Sequence, residues 1–132
     1  CIVNKRNFCT HQKQEEKKMQ IEFQKKTSAL IVQVQGEIDH HSSIELKEKI
    51  EREFQKSGSK NLIFDFEAVT FMDSSGIGMI IGRYKWILAY GGKTAVANAS
   101  EKVAKIFQMA GMNKIIPQYQ SVTEALKAFG EV

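Results

Sequence analysis

The chain has 132 residues, the size of one domain, and its 42% hydrophobic and 26% charged residues exclude wholesale disorder. The formal net charge of +4 is uneven: residues 1–18 hold five basic and two acidic side chains, which leaves 14 basic against 13 acidic in the rest. A domain built to bind nucleic acid keeps its charge on the folded part, and no apolar run approaches the ~20 residues of a membrane span, so neither partner is expected.

Residues 1–18 show neither secondary-structure period and include both cysteines, Cys1 and Cys9. Met19 stands directly before the first strand-like run. The preceding Gln14-Glu-Glu-Lys-Lys18 can be encoded by a purine-rich stretch containing a ribosome-binding sequence. The expectation is a disordered or non-native leader over 1–18 and a single domain over 19–132. No functional weight falls on Cys1, Cys9 or His11. Without cysteines, the domain has no disulfide framework or thiolate metal site, which suits the cytoplasm.

Gln20-Ile-Glu-Phe-Gln24 and Leu30-Ile-Val-Gln-Val-Gln35 alternate polar with apolar, as paired strands do, the second ending at Gly36. After Asp39, Leu46, Ile50 and Phe54 recur every four residues, predicting a helix that Gly58 closes. Asn61 to Phe66 reads as a buried strand. A second helix follows Asp73-Ser-Ser-Gly76, with Ile77, Ile80, Ile81, Tyr84 and Leu88 on one face and Gly91-Gly92 at its end. Lys93 to Asn98 is a short strand, and Ser100 caps a third helix bearing Val103, Ile106 and Ala110, ended by Gly111. Ile115-Ile116 is expected as a brief strand before Pro117, and Ser121-Val-Thr-Glu124 as a capping box for a last helix through Val122, Leu126 and Phe129. Such alternation predicts an α/β fold, a mixed sheet with helices packed on it.

Catalytic chemistry finds little support. His40 and His41 are adjacent, unlike the i, i+4 pair of a helical zinc site, so no metal site is predicted. Met72-Asp-Ser-Ser-Gly76 matches a nucleophile elbow at one glycine only, because Met72 sits where the first glycine belongs. Gly76-Ile-Gly78-Met-Ile-Ile-Gly82 is one residue too long for a dinucleotide fingerprint and lacks the ribose-binding acid; its glycines read as allowing close helix–sheet packing. What remains is a hydroxyl pair, Ser74 and Ser75, beside Asp73 at a helix start. Free N–H groups and the helix dipole there favour negative charge, so N-capping and phosphate acceptance at Ser74 both suit the position.

Gly36-Glu-Ile-Asp-His-His41 and Phe71-Met-Asp-Ser-Ser-Gly-Ile-Gly78, continued by Gly82-Arg-Tyr-Lys85, resemble the anti-sigma factor antagonists of the STAS superfamily. The likeness runs from about Met19 to Phe129, and His40-His41 with Gly-Arg-Tyr-Lys is similar to the sporulation branch rather than the general-stress branch. The resemblance implies a single STAS domain with a four- to five-stranded sheet and about four helices. It implies a monomeric regulatory protein, not an enzyme, without a cofactor. The unphosphorylated form would bind an anti-sigma factor that is also a serine kinase carrying its own ATP. That kinase would phosphorylate Ser74 and so cause release, and a serine phosphatase would reverse the change. Asp39, Asp73, Ser74, Ser75, Gly76, Gly78 and Arg83 are the expected partner contacts, with Ile81 either contact or core. A general-stress or scaffold STAS protein and a nucleotide-binding STAS module are the alternatives.

Overall fold

The computed structural model describes residues 19–131, so the expectations for residues 1–18 lie outside the described residues. Strands and helices alternate as β1 (Gln20–Lys26), β2 (Ala29–Ile38), α1 (His40–Ser57), β3 (Asn61–Met72), α2 (Ser74–Ala89), β4 (Thr94–Ala97), α3 (Glu101–Met109), a 3-10 turn at Met112–Lys114, β5 (Gln118–Tyr119) and α4 (Val122–Ala128). The sheet order is β1-β2-β3-β4-β5, with β1 antiparallel to β2 and every other pair parallel. This is the expected mixed α/β arrangement of five strands and four helices.

Period-2 alternation along β2 explains the two layers. Leu30, Val32 and Val34 enter the larger core with Leu46, Ile50 and Phe54 of α1, Ile77, Ile80 and Ile87 of α2, and Val103 and Phe107 of α3. The intervening Ala29 and Ile31 join Ile63, Ala95 and Ala97 under Ala125 and Leu126 of α4. The three crossover helices thus pack on one face, and α4 covers part of the other. Alanines at Ala29, Ala95 and Ala97 leave room for that short helix to sit close.

Two expected strand ends were too early. β2 runs beyond Gly36 to Ile38, and β3 beyond Phe66 to Met72, because the parallel ladder between them continues through irregularities at Gln33/Gln35 and Gly36/Glu37. Gly36, at φ 101°, supplies backbone that a larger residue rarely adopts. A bulge breaks the alternation without ending the pairing, so the period alone misplaces the end. The expected strand at Ile115-Ile116 is absent: both N–H groups turn back to the Met112 carbonyl. Pairing resumes only after Pro117, where Gln118 and Tyr119 meet Val96 and Ala97.

The buried face of α2 is also rotated from its expected position. Ile77 and Ile80 are buried as expected, but so are Met79, Arg83 and Ile87, whereas Leu88 is 54% exposed. In α3 the buried pair is Val103 and Phe107, and Ala110 lies on the exposed side. Both helix stops hold: Gly58 caps α1 at φ 67°, and Gly91 follows α2 at φ 82°.

Candidate functional site

The β2–β3 register pairs Ile38 with Met72, so the next residue of each chain, Asp39 and Asp73, stands at the carboxyl end of adjacent parallel strands. Each aspartate caps the helix that follows. The Asp73 N–H donates to the Ile38 carbonyl at 3.2 Å and ties the two helix starts together. Two helix N-termini therefore open side by side, with two carboxylates answering their unpaired N–H groups.

Asp39 forms a capping box: its Oδ1 accepts from the Ser42 N–H at 2.9 Å, and the Ser42 Oγ accepts from the Asp39 N–H at 2.7 Å. The Ser42 backbone and hydroxyl hydrogen bonds outweigh slight desolvation and hold the Asp39 carboxyl below its ordinary value. Asp73 accepts from the Ser75 N–H at 2.9 Å and from the Gly76 N–H at 3.3 Å. Both groups keep an acidic rim around the serine pair.

Ser74 is the first residue of α2 and is exposed, whereas Ser75 is half-buried. The Ser75 Oγ lies 3.4 Å from His40 Nδ1, bridging the first turns of α2 and α1. The two serines are thus unequal: Ser75 faces the neighbouring helix and Ser74 faces solvent. His40 and His41 are exposed, their rings 5.9 Å apart and edge-to-face. Among the described residues, no three His, Cys, Asp or Glu side chains gather for a metal, and no helix is long and apolar enough to cross a membrane.

The glycines divide as well. A Cβ on Gly76 would lie 2.6 Å from Met72 Cγ and 2.9 Å from Ile38 Cγ2, so this residue lets α2 start hard against the sheet. Gly78 and Gly82 would meet nothing within 4 Å. The expectation that all three allow helix–sheet packing therefore holds for Gly76 alone, and Gly78 instead leaves the surface beside Ser74 low and open.

Arg83, expected as a partner contact, does not lie open on the surface. It is buried between helices, with Nη1 3.0 Å from Glu51 Oε2 of α1. Nε and Nη1 are buried without an aligned hydrogen bond, so the ion pair is held by proximity and charge. Burial lowers the guanidinium pKa, and Glu51 partly restores it. Ile81 is half-buried against the main core. Sequence reasoning missed Phe71, 38% exposed with Lys102 Nζ 5.6 Å from its ring centroid, and Ile44, 48% exposed on α1. Phe71 opens the second quoted motif and Ile44 follows the first by three residues, but a large apolar residue in a pattern reads as core unless the ladder's irregularity is known.

Residues 20–125 match the family model of the STAS domain. The chain is 36% identical over 108 residues to an anti-sigma F factor antagonist of Paenibacillus polymyxa, covering 82% of this chain and 92% of that protein. The structure of the anti-sigma factor antagonist SpoIIAA in its unphosphorylated form is similar at a TM-score of 0.72 and 29% identity, over 87% of this chain and 99% of that one. The Bacillus cell fate determinant SpoIIAA in the phosphorylated form is similar at a TM-score of 0.64 and 28% identity, over 85% and 99%.

Proposed function

The chain belongs to the STAS domain family, and on that premise we propose that it is an anti-sigma factor antagonist switched by phosphorylation of Ser74. In the unphosphorylated form it binds an anti-sigma factor and thereby frees a sigma factor of the sporulation branch. That anti-sigma factor is a serine kinase, which supplies ATP and transfers the γ-phosphoryl group to the Ser74 oxygen. A serine phosphatase restores the starting state. The protein is substrate and ligand in this cycle, acting as a monomer in the cytoplasm.

The observation that carries this reading is the exposed Ser74 at the mouth of α2, within a rim formed by Asp39 and Asp73. The similar SpoIIAA structures in unphosphorylated and phosphorylated forms support a two-state cycle. The physics is a local charge change. A phosphoryl group adds about −1.5 to −2 charges at neutral pH. The α2 dipole favours that charge on the free protein. In a complex it would face the partner groups that had matched the acidic rim of the unmodified serine, and electrostatic fit would be lost. Asp39, Asp73, Ser75, Gly76 and Gly78 shape this surface, and Ile44 and Phe71 add apolar contact at its edge.

The test is intact mass after incubation with the cognate anti-sigma kinase and Mg-ATP, for wild type and Ser74→Ala. One added phosphoryl group in the wild type and none in the variant is expected. Ser74→Ala should still bind the kinase, while Ser74→Asp and Ser74→Glu should bind poorly. Phosphorylation of the Ser74→Ala protein, or undiminished binding by both acidic variants, would overturn the switch.

A further inference from the structure

At the end of α2 away from Ser74, a cleft of about 300 Å³ opens between the C-terminal ends of α1 and α2. Tyr90 lies 16 residues beyond Ser74, roughly 24 Å along the helix at 1.5 Å per residue, so the cleft and the serine do not share a surface. Its wall is a run of three aromatic rings. Trp86 stands edge-on to Phe54 at 5.5 Å between centroids and edge-on to Tyr90 at 5.6 Å. Phe54 is buried, Trp86 is half-buried and Tyr90 is 66% exposed, so the run leads from the core out into solvent. Gly58 forms one side of the mouth, and a Cβ there would meet nothing within 4 Å.

The charged residue that lines the cleft is a cation, Lys60. Lys56, next to the lining Gln55, occupies the last turn of α1, and Lys25 Nζ donates to the Ser57 carbonyl at 2.7 Å, one residue before the lining Gly58. Among the described residues no carboxylate lines it; the nearby Glu131 is engaged by Ser28 and Asn61 and also feels the Lys60 charge. Rigid aromatic walls with a cationic edge suit a ligand that offers a bulky apolar group flanked by negative charge. The volume lies at the lower limit of small-molecule pockets, about 300–1,000 Å³, so one inserted side chain fills it while a longer segment extends over the lysines.

We propose that the Phe54–Trp86–Tyr90 cleft is a second docking site, which takes an acidic peptide segment through one bulky apolar residue placed beside Trp86 and Tyr90, with a carboxylate on Lys60. The site does not depend on the phosphorylation reading and lies on a different part of the molecule. It gives the protein a means of holding one partner while Ser74 is free or modified.

Trp86 is the chain's single tryptophan, so its intrinsic fluorescence reports directly on the cleft. The probe is a synthetic peptide of alternating Asp and Glu around a central Leu, titrated into the full chain at low and at high salt. Controls carry Lys in place of the acids, or Ala in place of Leu. A saturable change in Trp86 emission is expected with the acidic Leu peptide, weakened by salt and absent with either control. Lys60→Glu and Tyr90→Ala should each bind about tenfold more weakly, the scale of one lost contact worth a factor of ten. Both side chains are exposed or at the rim, and an unchanged circular dichroism spectrum establishes that each variant folds. Ser74→Glu should titrate like wild type, which separates failure here from failure at the phosphorylation site. No saturable response to the acidic peptide, an equal response to the Lys peptide, or full binding by both folded variants overturns the proposal.

Discussion

The start of α2 depends on a carboxylate that serves as acceptor and as charge, and replacing Asp73 by Asn or by Ala separates the two roles. Asp73 accepts from the N–H groups of Ser75 and Gly76 at 2.9 and 3.3 Å. Asp73→Ala removes both bonds, a loss of about 1–2 kcal/mol for an N-cap, with about 0.5 kcal/mol more for the charge at the helix end. Asp73→Asn keeps an oxygen acceptor and loses only charge. It also relieves repulsion from Asp39 on the adjacent strand: two unit charges about 5 Å apart in water repel by about 0.8 kcal/mol before screening. The lost dipole interaction and the relieved repulsion nearly cancel, so Asn should unfold within about 0.5 kcal/mol of wild type. Urea titration at pH 7 measures all three proteins. At high salt the Asn variant should merge with wild type, while Ala keeps a deficit of about 1 kcal/mol, since a short hydrogen bond is screened far less than a surface charge. The Ala variant should also accept phosphate more slowly, because its frayed first turn no longer fixes Ser74. An Asn variant as unstable as Ala, or an Ala variant indistinguishable from wild type, would refute the capping argument.

Other consequences concern the packing and the C-terminus. Gly76→Ala forces a methyl into Met72 and Ile38 at 2.6 and 2.9 Å and should cost about 1–3 kcal/mol. Gly78→Ala meets nothing within 4 Å, so it should match or exceed wild-type stability through helix propensity, by up to about 1 kcal/mol, while weakening kinase binding; thermal melts and affinity read the two effects. Burial raises the Glu131 pKa, but hydrogen bonds from Ser28 and Asn61, with help from Lys60, outweigh it and bring the folded value below the ordinary 4.5. Its stabilising contribution is therefore complete above pH 4.5 and lost as pH falls through the lower folded value, so wild type should lose stability there more steeply than Glu131→Gln, itself about 1–2 kcal/mol less stable at pH 7. Glu51→Ala strands the buried Arg83 guanidinium and should cost about 1–3 kcal/mol, whereas Arg83→Met, which removes the charge as well, should fall within about 1 kcal/mol of wild type by thermal unfolding.

What the sequence disclosed and what it withheld divide along a physical line. Caps and stops were legible because one residue supplies the chemistry: Ser100 accepts from the Val103 N–H, Ser121 from the Glu124 N–H, and Gly58 takes the left-handed conformation. The capping box at Ser121 is an instructive partial case. Its Glu124 carboxylate accepts from the Gln120 N–H, one residue before the cap, so the reciprocal bond shifts while the helix start stays. Ser74 was legible for the same reason, as a hydroxyl at a capped helix start. Properties set by neighbouring elements were not. That Asp39 and Asp73 stand side by side follows from the β2–β3 register, which passes through two irregularities that no period shows.

Arg83 shows why this matters for assigning a surface. In a motif, an arginine between a glycine and a tyrosine reads as a charged group available to a partner. In the fold, α2 packs on both the sheet and α1, so its buried arc widens to take in position 83, and the charge is answered by Glu51 inside the chain. The same rotation leaves Leu88 exposed in the last turn of α2. One shift in helix phase therefore removes a cation from the expected contact surface near Ser74 and adds apolar area at the opposite end of α2. The acidic serine rim and the basic aromatic cleft are consequently opposite in charge and separated by the length of one helix, so mutations that disturb one should leave the other intact.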